Sequence, residues 1–104
     1  MKIVGVAACT SGIAHTYIAR EKVMKAAQSL GYEIHMETQG TIGTENELTP
    51  AQIEAADFVL LVVDIKIGGR ERFAGKKVVE VPTNTAIKAP TKLLQAVVDK
   101  LQAS

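Results

Sequence analysis

Lys2-Ile3-Val4-Gly5-Val6-Ala7-Ala8 runs directly into Cys9-Thr10-Ser11-Gly12-Ile13-Ala14-His15-Thr16, and the change of pattern at this junction decides the fold. The first seven residues are short, β-branched and almost uninterrupted, as in a strand buried on both faces. From Gly12 to Leu30 the period becomes that of a helix. Ile13, Thr16, Ala19, Val23, Met24, Ala27 and Leu30 share one face, while Glu21, Lys22, Lys25, Gln28 and Ser29 share the other. Gly31 stands where a helix closes with a left-handed residue.

Downstream, Tyr32–Thr38 alternates Ile34 and Met36 against Glu33, His35 and Glu37, which predicts an edge strand with one solvated face. Gln39–Leu48 reads as a glycine-rich connection. Thr49-Pro50-Ala51-Gln52 carries a capping box with proline at the first helical position, starting a short helix through Ala56. Phe58–Asp64 is the most apolar strand and the expected sheet centre. Lys66–Lys77 is a basic, glycine-punctuated connector, and Lys77–Val81 a last short strand stopped by Pro82. Pro90 starts a final helix with an apolar stripe of Leu93, Leu94, Val97, Val98 and Leu101. Strands alternating with helices give an α/β fold: one domain over residues 1–104, flavodoxin-like or Rossmann-like, with helices on both faces. Right-handed crossovers and the edge character of the second strand predict a four-stranded parallel sheet in the order 2-1-3-4. Ligands of such sheets bind beyond the carboxyl ends of the strands, where the order reverses. That point lies between the first and third strands, and the loop that begins at Cys9 leaves it.

Composition narrows the function. A chain of 104 residues with 47% hydrophobic and 22% charged residues is a globular domain large enough for its own core. A net charge of +1 and a pI near 7.9 give no electrostatic footprint for nucleic acid. With 4% aromatic residues and no Trp there is little to stack bases on. The single Cys excludes an internal disulfide and a zinc site built from several thiolates, and no metal site is expected. The longest wholly apolar run, Phe58–Val63, is far too short to span a membrane. No signal peptide precedes the first strand, so a cytoplasmic, reducing setting is expected. Met1 directly before that strand favours a free-standing subunit.

Cys9 is followed by two hydroxyls, a glycine and a helix start. Free amides and the dipole at a helix N-terminus favour anions, so they lower the thiol pKa below about 8.5. The same amides, in a loop of Thr10, Ser11, Gly12, Ile13, Ala14, His15 and Thr16, suit the oxygens of a phosphoryl group held on the sulfur. Gly12 permits a turn with its amides pointing inward. Low-molecular-weight cysteine phosphatases share this topology but use Cys-x5-Arg-[Ser/Thr], whereas here the sixth position after Cys9 is His15, followed by Thr16. The bidentate guanidinium of a hydrolytic enzyme is missing, and so is an Asp-Pro pair to place a general acid. Such a loop suits transfer to another acceptor. His15 either orients the loop by hydrogen bonding or adds charge when protonated. His35, on a solvated strand face, is read as structural.

Cys9-Thr10-Ser11-Gly12-Ile13-Ala14-His15-Thr16, Glu37-Thr38-Gln39-Gly40 with Gly43 and Glu45-Asn46-Glu47-Leu48, and Arg72-Phe73-Ala74-Gly75-Lys76 form three separated motifs. Together they resemble, over nearly the whole chain, the fructose-class enzyme IIB domain of the bacterial phosphoenolpyruvate-dependent sugar phosphotransferase system. The resemblance implies a phosphotransferase in which Cys9 is the nucleophile. It would take phosphoryl from phosphohistidine on a IIA partner and, as a phosphocysteine, pass it to fructose or a fructose-like sugar at the membrane IIC component. No cofactor is implied, and the domain would work in the cytoplasm at the inner face of the membrane through IIC. Thr10 replaces the family's usual proline, so the loop loses a fixed φ and gains an amide and a hydroxyl. Arg20 replaces a usually small residue within the apolar stripe, where its stem either snorkels or reaches a partner.

Gln39, Gly40, Asp64, Arg72, Lys76, Ile18 and Arg20 are the further candidates for site or partner support. Asp64 is expected to accept loop amides rather than act as an acid, and Ile18, on the polar side of the first helix, is a candidate docking contact. Lys66–Lys77 holds five basic residues and one acid, while Glu33–Glu54 holds five acids and no Lys or Arg. That layout predicts a dipolar surface able to orient a charged partner. Two alternatives come from other classes. One is a hydrolytic cysteine phosphatase or arsenate reductase, which lacks its catalytic groups and a second Cys here. The other is a non-catalytic phosphate- or flavin-binding module, since Thr10-Ser11-Gly12 also resembles a flavodoxin phosphate loop.

Overall fold

Ile3 to Ala8 are all buried, and the remaining elements are laid around the strand they form. The computed structural model describes residues 1–8, 13–40 and 43–103. In chain order these give β1 (Lys2–Ala8), α1 (Ile13–Ser29), β2 (Glu33–Gly40), β3 (Gly43–Glu45), α2 (Pro50–Ala55) and β4 (Phe58–Val63). A 3-10 turn over Arg70–Phe73, β5 (Val78–Val81), α3 (Thr83–Lys88) and α4 (Pro90–Ala103) complete them. The strands form one five-stranded sheet in the order β3-β2-β1-β4-β5.

The four parallel strands keep the expected order. β1 pairs β2 with Val6 opposite Glu37 and Ala7 opposite Thr38, and pairs β4 with Ala8 opposite Val63. β5 joins β4 with Val62 opposite Val81. The expectation of a four-stranded, all-parallel sheet is corrected by β3, which lies antiparallel to β2 with Thr38 opposite Glu45 and Gly40 opposite Gly43. The segment read as a connection therefore returns along β2 and covers what was expected to be an edge. Gly43 has φ +107°, a conformation open to glycine and strained for other residues. A three-residue strand is too short to show an alternating pattern. A second correction is α3, which fills the stretch between Pro82 and Pro90. Pro82 does end a strand, but it also occupies the position just before this helix, without a capping bond of its own.

Alternation along the strands divides the core. Ile3, Ala7, Ile34, Met36, Phe58, Leu60 and Val62 pack with Ala19, Val23 and Ala27 of α1, Ala86 of α3, and Leu94 and Val98 of α4. On the other face Val4, Val6, Ala8, Val59, Leu61 and Val63 pack with Leu48, Ile53, Ala56 and Phe73. Helices thus cover both faces, as expected. Every residue of β4 is buried, and each large apolar side chain so removed from water stabilises the fold by roughly 1.5–3 kcal/mol. Gly5 permits a close approach within the sheet: a Cβ there would stand 2.4 Å from the Leu60 carbonyl oxygen and 2.5 Å from Met36 Sδ.

Helix α1 follows the predicted wheel, with Thr16, Ala19, Val23 and Ala27 buried and Glu21, Lys22, Lys25, Gln28 and Ser29 exposed. It closes at Gly31 (φ +80°), whose N–H donates to Gln28 O while Tyr32 N–H donates to Ala27 O at 2.9 Å. The two ends of the described chain lie at the amino edge of the sheet. Met1 O accepts from Glu33 N–H, and Lys100 and Leu101 of the last turn of α4 line a cavity with Lys77 and Val78. Ala8, Gln39, Val63 and Asp64 stand at the opposite, carboxyl edge. Among the described residues no helix is long and apolar enough to cross a membrane.

Candidate functional site

Strand order reverses beside β1, because the chain moves to β2 on one side and later to β4 on the other. Ala8 ends β1 at this point, and its carbonyl accepts the Asp64 N–H at 3.1 Å. Cys9 is the next residue. Cys9, Thr10, Ser11 and Gly12 lie outside the described residues, and of Ile13, Ala14, His15 and Gly40 only the backbone is described. Ile13 begins the 17-residue helix α1, which has no acidic residue in its first turn. The positive end of that helix is therefore not offset by a carboxylate of its own. Thr16 is buried within the same turn.

The second and third motifs meet. Glu37 points from β2 into the face covered by Phe73 and Leu48 and is fully buried. This corrects its expected place on a solvated strand face: β3 and the 3-10 turn cover that end of β2, while His35, nearer the amino edge, is exposed. Arg72 binds it with both terminal nitrogens, Nη1 to Oε1 at 2.7 Å and Nη2 to Oε2 at 2.6 Å. The Leu48 N–H donates to Oε1 at 3.0 Å, and Gln39 Nε2 to Oε2 at 2.8 Å. Burial opposes the charge on Glu37, but the bonds from Arg72, Gln39 and Leu48 outweigh it and hold the carboxyl below its usual range. The same pairing raises Arg72, whose guanidinium also lies 4.7 Å from the centre of the Phe73 ring. Gln39 continues the network outward: its Oε1 accepts the Gly68 N–H at 3.0 Å and its Nε2 donates to Gly68 O at 3.1 Å.

Asp64, expected to accept amides of a loop, is bonded among the described residues to the start of α3; the loop after β1 lies outside them. Its Oδ1 accepts the Thr83 N–H at 3.1 Å and its Oδ2 the Thr83 hydroxyl at 2.6 Å. Lys76 closes α2, donating to Glu54 O at 2.7 Å and Ala56 O at 2.8 Å. Arg20 reaches from α1 to β2, donating from Nε to Met36 O at 3.0 Å, so its head is used within the fold. Ile18 is 46% exposed, in keeping with its expected place on the outer side of α1. Beside it Tyr17 donates its hydroxyl to Glu45 of β3, and that bond raises the phenol above its ordinary range.

These contacts correct the expected separation of charge. The basic and acidic segments touch through Arg72 and Glu37, Arg70 pairs with Glu80, and Lys76 is spent on backbone carbonyls. Lys77 also has a partner. Arg72, Gln39 and Lys76 were named from the sequence, but Glu37, the centre on which Arg72 and Gln39 converge, was taken for a surface residue. Its membership of the Glu37–Gly40 motif was the available signal.

A family model described as "PTS system, Lactose/Cellobiose specific IIB subunit" matches residues 4–96. The chain is 47% identical over 102 residues to the PTS system fructose-like EIIB component 2 of Escherichia coli K12, covering 98% of this chain and 92% of that protein. It is 46% identical over 90 residues to the fructose-like PTS system EIIBC component of the same organism, covering 85% of this chain and 19% of that longer one. Among solved structures, a domain of the fructose-specific IIABC component of the PTS system from Borrelia burgdorferi superposes with a TM-score of 0.86 at 43% identity, covering 94% of this chain and 93% of that domain.

Proposed function

The chain belongs to the IIB family of the sugar phosphotransferase system, and from that premise we propose that Cys9 carries a phosphoryl group between a IIA donor and a sugar at the membrane IIC component. The observation that supports this reading is that β1 ends with Ala8 at the point where strand order reverses, and the chain's single Cys is the next residue in the sequence. In the first step the Cys9 thiolate attacks phosphorus on a phosphohistidine. The S–P bond forms as the N–P bond breaks, and the imidazole keeps the electron pair. In the second step a sugar hydroxyl oxygen attacks, the S–P bond breaks, the thiolate leaves, and the hydroxyl proton passes to a base of the acceptor or to water. The amide end of α1 favours both the thiolate and the phosphorylated sulfur. Thr10–Gly12 and the first turn of α1 through Thr16, a stretch expected to be wholly loop but helical from Ile13, would supply the remaining donors, with Thr10 adding an amide and a hydroxyl of its own. The absence of an arginine at His15 disfavours water as the acceptor, because no fixed fork grips the phosphoryl group for hydrolysis.

Names of the relatives support the partners and the sugar. One relative joins IIB to IIC in a single chain and one solved neighbour comes from a IIABC protein. Relatives at 46% and 47% identity are named for fructose-like systems, which favours that sugar class over lactose or cellobiose. Intact-protein mass spectrometry after incubation with phosphoenolpyruvate, the general phosphotransfer proteins and a IIA domain tests the reading. One phosphoryl group is expected on the wild type and none on Cys9→Ser, and it persists until IIC and sugar are supplied. No adduct from a demonstrably phosphorylated IIA, or steady release of inorganic phosphate, overturns it.

A further inference from the structure

The five residues from Asp64 to Gly68 are held at both ends. At one end the Asp64 N–H binds Ala8 O at 3.1 Å, and its carboxylate binds the Thr83 amide and hydroxyl. At the other, both peptide groups of Gly68 are taken by the side-chain amide of Gln39, at 3.0 and 3.1 Å. Ile67 packs inward on the core beneath β4. Between these anchors Ile65, 38% exposed, and Lys66 face solvent at the carboxyl edge, next to the residue that precedes Cys9. An isoleucine left in water by a segment fixed so thoroughly is not slack chain. Among the described residues Lys66 is also the one basic residue of Lys66–Lys77 with no hydrogen bond or ion pair, its four fellows being engaged as described.

Resting on the carrier reading, we propose that Asp64–Gly68 is a pre-set docking prong for the phosphorylated donor protein. Ile65 meets an apolar rim of the donor, and Lys66 meets the doubly negative face around its phosphohistidine. Charge complementarity selects this occupant, because a free sugar offers no charge to Lys66. The anchors explain why the prong is effective: a contact already ordered before association loses less entropy on binding.

The test is single-turnover phosphoryl uptake by the full chain from a phosphorylated IIA domain, followed over a series of donor concentrations at low and moderate salt. Lys66→Glu is expected to raise the half-saturating donor concentration about fivefold and to flatten its salt dependence, with the rate at saturation nearly unchanged. Ile65→Ser is expected to raise it about threefold without altering the salt dependence. Gln39→Leu, which releases Gly68, moves it in the same direction. Lys100→Glu at the amino edge leaves it unchanged, and thermal melts identify any variant that loses its fold. Half-saturation equal to wild type in both prong variants overturns the inference and leaves the carrier reading intact. So does a fall in the saturating rate alone. A wild type that takes up no phosphoryl group overturns the carrier reading itself, and the prong with it.

Discussion

Glu37 has no contact with water, yet its carboxyl titrates below the ordinary range because Arg72, Gln39 and the Leu48 amide all bind its charged form. A carboxylate whose folded pKa is lowered contributes stability above its unfolded value, about 4.3, and loses it as pH falls through the folded value. Denaturant titrations should therefore find Glu37→Gln less stable than wild type at pH 7, with the gap closing as both are acidified below about pH 4.3. A constant gap across that range would mean that the carboxyl contributes by shape and not by charge. At this scale the sequence was half legible. Cys9, Arg72, Gln39 and Lys76 could be named because they fall in motifs. The depth of Glu37 could not, since alternation along one strand says nothing of a cover contributed by residues eleven and thirty-five positions away.

At the scale of elements, α3 shows how a side chain can supply what a local pattern lacks. Its six residues begin after Pro82 without a capping side chain of their own. Asp64, nineteen residues earlier, accepts the Thr83 amide and hydroxyl instead, and Thr83 is fully buried. Asp64→Ala strands both groups and should cost about 1–3 kcal/mol in equilibrium unfolding. Cys9→Ser, which alters none of these contacts, serves as the reference in that measurement, and a cost indistinguishable from zero would remove Asp64 as the anchor of α3. A helix capped from a distance leaves no start signal beside it, which is why the stretch before Pro90 reads as loop. α2 is the opposite case. Its capping box, Thr49 with Gln52, is wholly local and was legible, and the structure has both of its bonds. Strand β3 escaped for a third reason: three residues are fewer than any period needs.

Across the whole molecule, the legible part was the buried pattern. Four strands whose side chains point into two layers, and helices whose apolar faces match those layers, leave one parallel order open to a right-handed chain. The antiparallel addition at the far edge changes neither layer. Because α1, α3 and α4 share one layer, a cavity opened there should be felt by all of them. Leu94→Ala, at a fully buried site on α4, is expected to cost roughly 2–5 kcal/mol. The loss should appear as one transition, with circular dichroism and the combined fluorescence of Tyr17 and Tyr32 changing together. Transitions that separate would mean that α4 frays as a unit of its own.

Met1 and the last turn of α4 share the amino edge, while Ala8 and Asp64 stand at the carboxyl edge. The domain is wired like a plug, with its leads at one pole and its contact at the other. Sequence can be spliced before residue 1 or after α4 without crowding the carboxyl edge, where the donor is proposed to dock. One architecture can then serve as a separate shuttle or as a segment of a longer transporter chain, and only the length of the tether distinguishes the two.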